Sequence, residues 1–432
     1  MDNTSVTVAH GPVEPPWTMY SNRQRWTYLG ILFLVATINY VDRNIISVLL
    51  EPIKHEFRVS DTMLGLLGGI SFALFYATLG MPVAQWADRG NRKTIIMLAV
   101  AAWSVMTAFC GLAHTFLQLA LSRVGVGVGE SGAIPPANSL IADYFPPERR
   151  ASAFAMFISA SMAGYLLSFL VGGQIAAAYG WRMAFLAASV PGLALAVIVF
   201  FGLAEPRASP GRAVVAQRES FAYAVGRLWN KKSYRQLLAG LTLYFFVAYG
   251  ANIFAPSFLM RVLHVPLQEV SLKFGIVAAV SSVIGTIGGG MAADRLSRRD
   301  IRWLVWMPAI ASVFMYVAYT ISFAMRSFSA FLLVNFFGSI FVAAGLPPVF
   351  SALQAICGSP RRAMAVAVCF FFGNLLGLGL GPLATGALSD ALTMHYGADG
   401  LRYALIIVEA VSLGVAWFYY QCGLAMPADL ED

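Results

Sequence analysis

Five ionisable residues, Asp42, Arg43, Arg123, Glu130 and Glu409, fall inside long apolar stretches of this sequence. A charged side chain at the centre of a bilayer costs about 2.5 to 3.5 kcal/mol on insertion scales, so such residues persist where they pair, bind or carry protons. Arg123 and Glu130 are 130 − 123 = 7 residues apart. At 3.6 residues per turn that spacing puts both on one helix face, about 10.5 Å apart along the axis. Counted from Arg25, Asp42 lies about 25 Å along the first apolar segment, while Arg123 lies about 12 Å from the far end of the fourth. Glu130 then sits nearer the midplane. One arginine with two carboxylates at different depths can switch partners, because protonating one acid frees the guanidinium for the other or for an anionic substrate. The competing reading is a static set of ion pairs that orients two helices. For Arg43 it is an aliphatic stem that carries the charge outward to the interface.

Other chemistries find no support. The histidines, His10, His55, His114, His264 and His395, all lie in the first residues or near segment ends, so a proton relay has to run on carboxylates. Gly129-Glu130-Ser131-Gly132 has the look of a serine-protease element, but a serine nucleophile needs a nearby base and no mid-span histidine supplies one. Gly125-x-Gly127-x-Gly129 lacks the preceding strand of a dinucleotide loop and reads as a surface for close helix packing. Cys110, Cys357, Cys369 and Cys422 have no paired spacing, which argues against a disulfide framework or a metal site. Without a Walker loop, ATP is not the direct energy source. The expectation is a non-enzyme with no cofactor and no metal.

The elements that position these residues follow from composition. The chain is 59% hydrophobic and 12% charged, with mean hydropathy +0.70, against roughly 45 to 50% and 25% in soluble domains. Twelve apolar stretches, from 26–50 to 400–423, each match the roughly 20 residues that cross a bilayer. Their continuous rather than alternating character excludes a barrel. This predicts an all-α polytopic membrane protein of twelve transmembrane helices in two pseudo-symmetric six-helix bundles. The Arg-rich break at 205–233, with Pro206, Pro210 and Gly211, separates an N-terminal half, 23–204, from a C-terminal half, 234–423. Residues 1–22 read as a disordered cytoplasmic tail rather than a cleavable signal, and 424–432 as a second tail.

A net charge of +8 invites a nucleic-acid reading, but the charge is distributed by membrane side. Of 29 basic residues, seven (Lys54, Arg58, Arg182, Arg261, Lys273, Arg326 and Arg402) fall on one side and two, Arg43 and Arg123, lie within spans, leaving 29 − 7 − 2 = 20 on the other. The positive-inside rule places that side, and both termini, in the cytoplasm of a cell-membrane protein.

The halves repeat each other. Ala84-x3-Asp88-Arg89-x2-Arg92-Lys93 ends the second span and Gly290-x3-Asp294-Arg295-x2-Arg298-Arg299 ends the eighth, an offset of 294 − 88 = 206. Pro135-Pro136 recurs as Pro347-Pro348 and Arg149-Arg150-Ala151 as Arg361-Arg362-Ala363, both offset by 347 − 135 = 212. Internal symmetry of this kind marks secondary transporters.

At these residues the chain resembles the major facilitator superfamily, whose hallmark is an Asp-Arg-x-x-Arg-Arg/Lys loop after the second helix, echoed after the eighth. Ala84 stands where that superfamily usually has Gly. Asn39-Tyr40-Val41-Asp42-Arg43 and the run from Arg123 to Ser131 are most similar to the spinster lysolipid and sphingolipid transporters; organic-anion symporters share the Asn-Tyr-x-Asp-Arg element. The resemblance implies alternating access and an amphipathic lipid substrate such as a lysophospholipid or sphingoid phosphate, with small organic anions such as sugar acids as the alternative. It implies Asp42 and Glu130 as proton-coupling residues and Arg123, Arg43, Asn39 and Tyr40 as substrate contacts. Asp88, Arg89, Arg92, Asp294, Arg295 and Arg298 would form cytoplasmic latches. Expected partners are the substrate, protons and membrane lipids, with no nucleic acid and a monomeric state.

Overall fold

Helix starts are written in the capping residues. Ser21 and Gln24 form a reciprocal capping box that opens α1 (Asn22–Phe57), and Thr115 and Gln118 do the same for α4 (Phe116–Tyr144). Ser60 and Asn91 accept backbone N–H bonds at the starts of α2 (Asp61–Arg89) and α3 (Arg92–Leu112). Such side-chain oxygens satisfy amides that have no partner inside the helix.

The computed structural model of the chain describes residues 15–206 and 221–430; the side chains of 81, 84, 85, 88, 89, 221–224, 359–361 and 363 are outside that description. Among the described residues ten continuous helical stretches are long and apolar enough to cross a membrane. The last, Met364–Asp429, holds two spans separated at Gly397–Asp399, and α4 adds another in pieces of 15 and 11 residues, which gives twelve. The remaining spans are α5 (Pro147–Tyr179), α6 (Trp181–Gly202), α7 (Lys232–Arg261), α8 (Leu267–Ser297), α9 (Trp303–Ala324), α10 (Phe328–Gly358), α11 (359–396) and α12 (400–429). The chain is all-α and membrane-spanning.

Several spans are interrupted. α2 runs as Asp61–Gly68 and Ile70–Arg89 about Gly69, where a Cβ would collide with backbone carbonyls of Leu378 and Gly379 on α11. α4 stops at Glu130 and restarts at Ile134, with prolines in its first turn; α12 stops at Glu409 and restarts at Val411. α11 carries a π-helical turn, Gly373–Leu378, just before Gly381-Pro382. The glycines of α4 are contact surfaces: a Cβ on Gly127 would meet the backbone of Phe72 in α2, and one on Gly129 the backbone of Trp103 in α3. Close helix packing is therefore what that repeat provides.

Residues 15–22, assigned to a tail for their polarity, are held against the bundle. Pro16–Met19 forms a 3₁₀ turn whose Trp17 and Tyr20 carbonyls accept from Arg25, and the Arg150 guanidinium lies 5.1 Å over the Trp17 ring.

Candidate functional site

Residues Asn39 to Asn44 occupy about one and a half turns of α1, so their side chains point in several directions. Arg43 faces α4 and α2: its Nη2 lies 3.0 Å from Glu130 Oε2, and its guanidinium stands over the rings of Tyr76, Phe72 and Tyr40 at 4.5, 4.9 and 5.4 Å. Glu130 is fully buried. Asp42 faces α3 and α4, where Trp103, Thr107 and Arg123 neighbour its carboxyl group. Arg123 donates from Nη1 to the backbone carbonyl of Asp42 at 3.2 Å rather than to either acid. The partner expected for Glu130 is thus replaced by Arg43, which pairs inward instead of reaching the interface. Arg123 and Glu130 share a face of α4, but the rise between them is long for a side chain, whereas Arg43 comes across from α1 at the height of Glu130.

Around these pairs lies a cluster of buried polar groups that are close to one another but not closed into well-formed hydrogen bonds: Trp103 and Thr107 approach the Asp42 carboxyl, the Asn39 amide approaches Glu130, and Arg123 Nε and the Ser104 hydroxyl lie among them. Buried groups of this kind are usually satisfied, and exceptions ask for a role. Here they surround the Arg43–Glu130 pair.

Between the halves lies a cavity of about 290 Å³. Tyr40, Arg43 and Asn44 form its wall on α1, and Tyr249 and Asn252 face them from α7. Phe274, Met315 and Phe323 make much of the remaining wall apolar, and Glu409 of α12 closes it. Arg43 also borders a water-sized void of about 30 Å³ that it shares with Arg123. Arg43 therefore stands between the cavity and Arg123.

At the end remote from the termini the halves are clamped. Arg261 at the end of α7 donates to Glu51 at 3.0 and 2.8 Å and to Asp61 at 2.6 and 2.9 Å. Lys54 and Ser389 also hold Asp61, at 2.5 and 2.6 Å. Asp390 of α11 accepts the backbone N–H groups of Asp61 and Thr62, both at 2.8 Å, and so caps α2 from the other half. At the end bearing the termini, no ion pair between described residues joins the halves.

The sequence profile of the Major Facilitator Superfamily matches residues 32–323. The chain belongs to the major facilitator superfamily. A Mycolicibacterium smegmatis "MFS-type efflux pump" is 34% identical over 402 residues, 92% of each chain. A "Cis,cis-muconate transport protein" of Acinetobacter baylyi is 29% identical over 65% of this chain and 71% of its own. The crystal structure of a bacterial homologue of the human lysosomal transporter spinster, inward-facing and unoccupied, superposes with a TM-score of 0.87 at 30% identity, covering 96% of this chain and all of that one. The chain is a transporter of this superfamily and resembles the spinster proteins, as the motifs around Asp42 and Glu130 implied.

The superfamily's loop motifs are placed unevenly. The side chains of Asp88 and Arg89 lie outside the described residues. Arg92 is fully buried within the N-half: it donates to Glu205 at 2.5 Å and to Ser139 at 2.8 Å, and pairs with Asp143 at 2.7 Å. In this conformation it staples α3 to α4 and to the segment after α6 instead of reaching the other half. Asp294, Arg295 and Arg298 are exposed. The clamp built from Glu51, Asp61, Arg261 and Asp390 was missed from sequence, because charges at span ends are expected on solvation grounds alone. The available signal was the cluster of acids, Glu51, Glu56 and Asp61, on the side depleted in basic residues.

Proposed function

We propose that this chain is a proton-coupled secondary transporter working by alternating access, and that it moves an amphipathic lipid with an anionic head, such as a lysophospholipid or sphingoid phosphate. The observation carrying this reading is Arg43, a cavity-wall cation paired to the fully buried Glu130 and framed by aromatic rings. Protonating Glu130 weakens its hold on Arg43 and frees the guanidinium for an incoming anion; binding the anion in turn favours the protonated acid. Asp42 is the second proton site, coupled to the first through Arg123 on its own carbonyl. Asn39 and Tyr40 support these contacts, and the largely apolar wall suits an acyl chain. Both termini lie in the cytoplasm of a cell-membrane protein, by the charge distribution, so the present conformation is inward-facing. The Asp88 and Asp294 loops latch that side when the cavity opens outward. The transporter acts as a monomer.

A second reading, symport of a small organic anion, is favoured by the cavity volume, which lies at the small end of the roughly 300 to 1,000 Å³ typical of ligand pockets. A relative named for muconate, a small diacid, points the same way. Uptake into proteoliposomes under an imposed pH gradient, with lysophosphatidylglycerol and glucuronate as competing substrates, separates the two. Accumulation of the lysolipid alone supports the first reading. Accumulation of glucuronate alone replaces it, and accumulation of either one without a pH gradient removes proton coupling.

A further inference from the structure

Glu409 is a buried acid that the Arg43–Glu130 exchange does not use. Its side chain is fully buried in α12 and forms part of the C-half wall of the cavity, and the polar group against its carboxyl is the neutral Ser412 hydroxyl, with no cation paired to it among the described residues. Among the described residues lining that cavity the basic side chain is Arg43, on the opposite half. Arg402, on Glu409's own helix, is 409 − 402 = 7 residues away and is committed to Asp399 at 2.8 Å.

The groups beside Glu409 are neutral hydroxyls and ring faces. Ser412 and Tyr319 neighbour the carboxyl group. The Tyr319 hydroxyl lies 3.1 Å from Ser339 Oγ, and Ser339 donates to Asn335 Oδ1 at 3.4 Å. Phe323 stacks on Tyr319 with centroids 6.2 Å apart. α12 tightens directly after Glu409: Ala410 keeps helical dihedrals, φ −62° and ψ −22°, and its N–H is shared between the carbonyls of Ile406 and Ile407. Val408-Glu409-Ala410-Val411 contains neither proline nor glycine, the common sequence causes of helix distortion, and helix irregularities without them gather at functional sites.

We propose that Glu409, with Tyr319, Ser339 and Asn335, is a recognition site for a primary ammonium group on the transported molecule. An ammonium brings three donors and a compact positive charge. It meets the two carboxylate oxygens and the Asn335 carbonyl, with the faces of Tyr319 and Phe323 available for cation–π contact. An anion meets no positive charge there. With Arg43 on the N-half, the cavity is bipolar, so a molecule carrying both charges ties the two halves together. The proposal rests on the cavity being the transport site, not on the lipid assignment.

Affinities of the full chain in nanodiscs test it, using lysophosphatidylethanolamine and lysophosphatidylglycerol of one acyl chain, and glucosamine 6-phosphate beside glucose 6-phosphate. The amine-bearing member of whichever pair binds is expected to win by at least about tenfold, equivalent to 1.4 kcal/mol. Glu409→Gln should erase that preference while leaving the amine-free ligand within about twofold, and Glu409→Asp should retain most of it. An unchanged preference in Glu409→Gln overturns the proposal, as does equal loss in both variants with lowered melting temperature, which assigns Glu409 to packing. A preference that vanishes when sodium is replaced by choline in the parent chain also overturns it, in favour of an inorganic cation. If only the sugar phosphates bind, the lipid reading fails while the ammonium site is still decided; if neither pair binds the parent, the ammonium proposal is overturned along with the substrate classes.

Discussion

Replacing Arg261 with Gln should open the end of the molecule remote from the termini. The side chain makes four charge-assisted hydrogen bonds of 2.6 to 3.0 Å across the halves and is 14% exposed, while its partners Glu51 and Asp61 are 7% and 0% exposed. Removing one member of a buried ion pair costs about 3 to 5 kcal/mol. Lys54 and Ser389 remain on Asp61, and Glu51 lines a cleft beside His55 and His264, so a figure of about 2 to 3 kcal/mol is appropriate after that compensation. The loss falls only on the conformation in which the halves touch at this end. A shift of about 2 to 3 kcal/mol changes the population ratio of the two conformations by roughly 30- to 150-fold. Spin-label distances between cysteines introduced at Tyr179 and Met394, 74% and 86% exposed, report the separation. The native cysteines are all buried, which keeps the labelling selective. The parent should give one short distance and Arg261→Gln a dominant longer one. An unchanged distribution in Arg261→Gln and in the double variant Arg261→Gln/Asp390→Asn would refute the clamp.

Four further outcomes follow from the geometry. Arg43→Ala should abolish binding of the anionic ligand, measured by calorimetry, whereas Arg123→Ala, whose guanidinium is behind Arg43, should weaken it less. Asp42→Asn and Glu130→Gln should each lose accumulation driven by a pH gradient in proteoliposomes while retaining exchange at equal pH; if both accumulate substrate as the parent does, these acids do not couple protons. Arg92→Ala removes the centre of a buried network with Glu205, Asp143 and Ser139 and should destabilise the N-half by about 3 kcal/mol, read as a lower denaturation midpoint, with Arg92→Lys recovering little because it lacks the fork. Gly129→Val should cost about 1 to 3 kcal/mol by overpacking against the Trp103 backbone, seen as a reduced melting temperature.

The twelve spans were legible because hydrocarbon imposes one requirement on every one of them: some 20 apolar residues with all backbone groups bonded internally. That Asp42, Arg43, Arg123, Glu130 and Glu409 would be charged groups inside the bundle was legible for the same reason, since charge in that setting stands out. Their pairing was not. Which acid meets which arginine depends on the rotation and relative height of α1 against α4, set through the helices packed beside each, with Gly164 of α5 against Tyr40 of α1 and Gly129 of α4 against Trp103 of α3, contacts that no spacing rule contains. Nor did the apolar pattern announce the break after Glu130 or the tightening after Glu409. Pro135-Pro136 hints at the first, and nothing local hints at the second. Glu409 had no motif behind it, and its place on the cavity wall came from how α12 packs beside α7, α9 and α11.

The carboxylate of Asp390 has a consequence for how opening could be followed in time. The first amides of α2 have no acceptors of their own, and here two of them are satisfied by a side chain that belongs to the other half. Each excursion that parts the halves at this end strips those amides and hands them to water. Asp61 and Thr62 are therefore natural exchange reporters: their deuterium uptake in the unlabelled protein should count openings directly. Ala73, whose amide bonds within its own helix to Gly69, should stay protected through the same excursions, giving an internal clock for a motion of whole bundles at the resolution of single hydrogens.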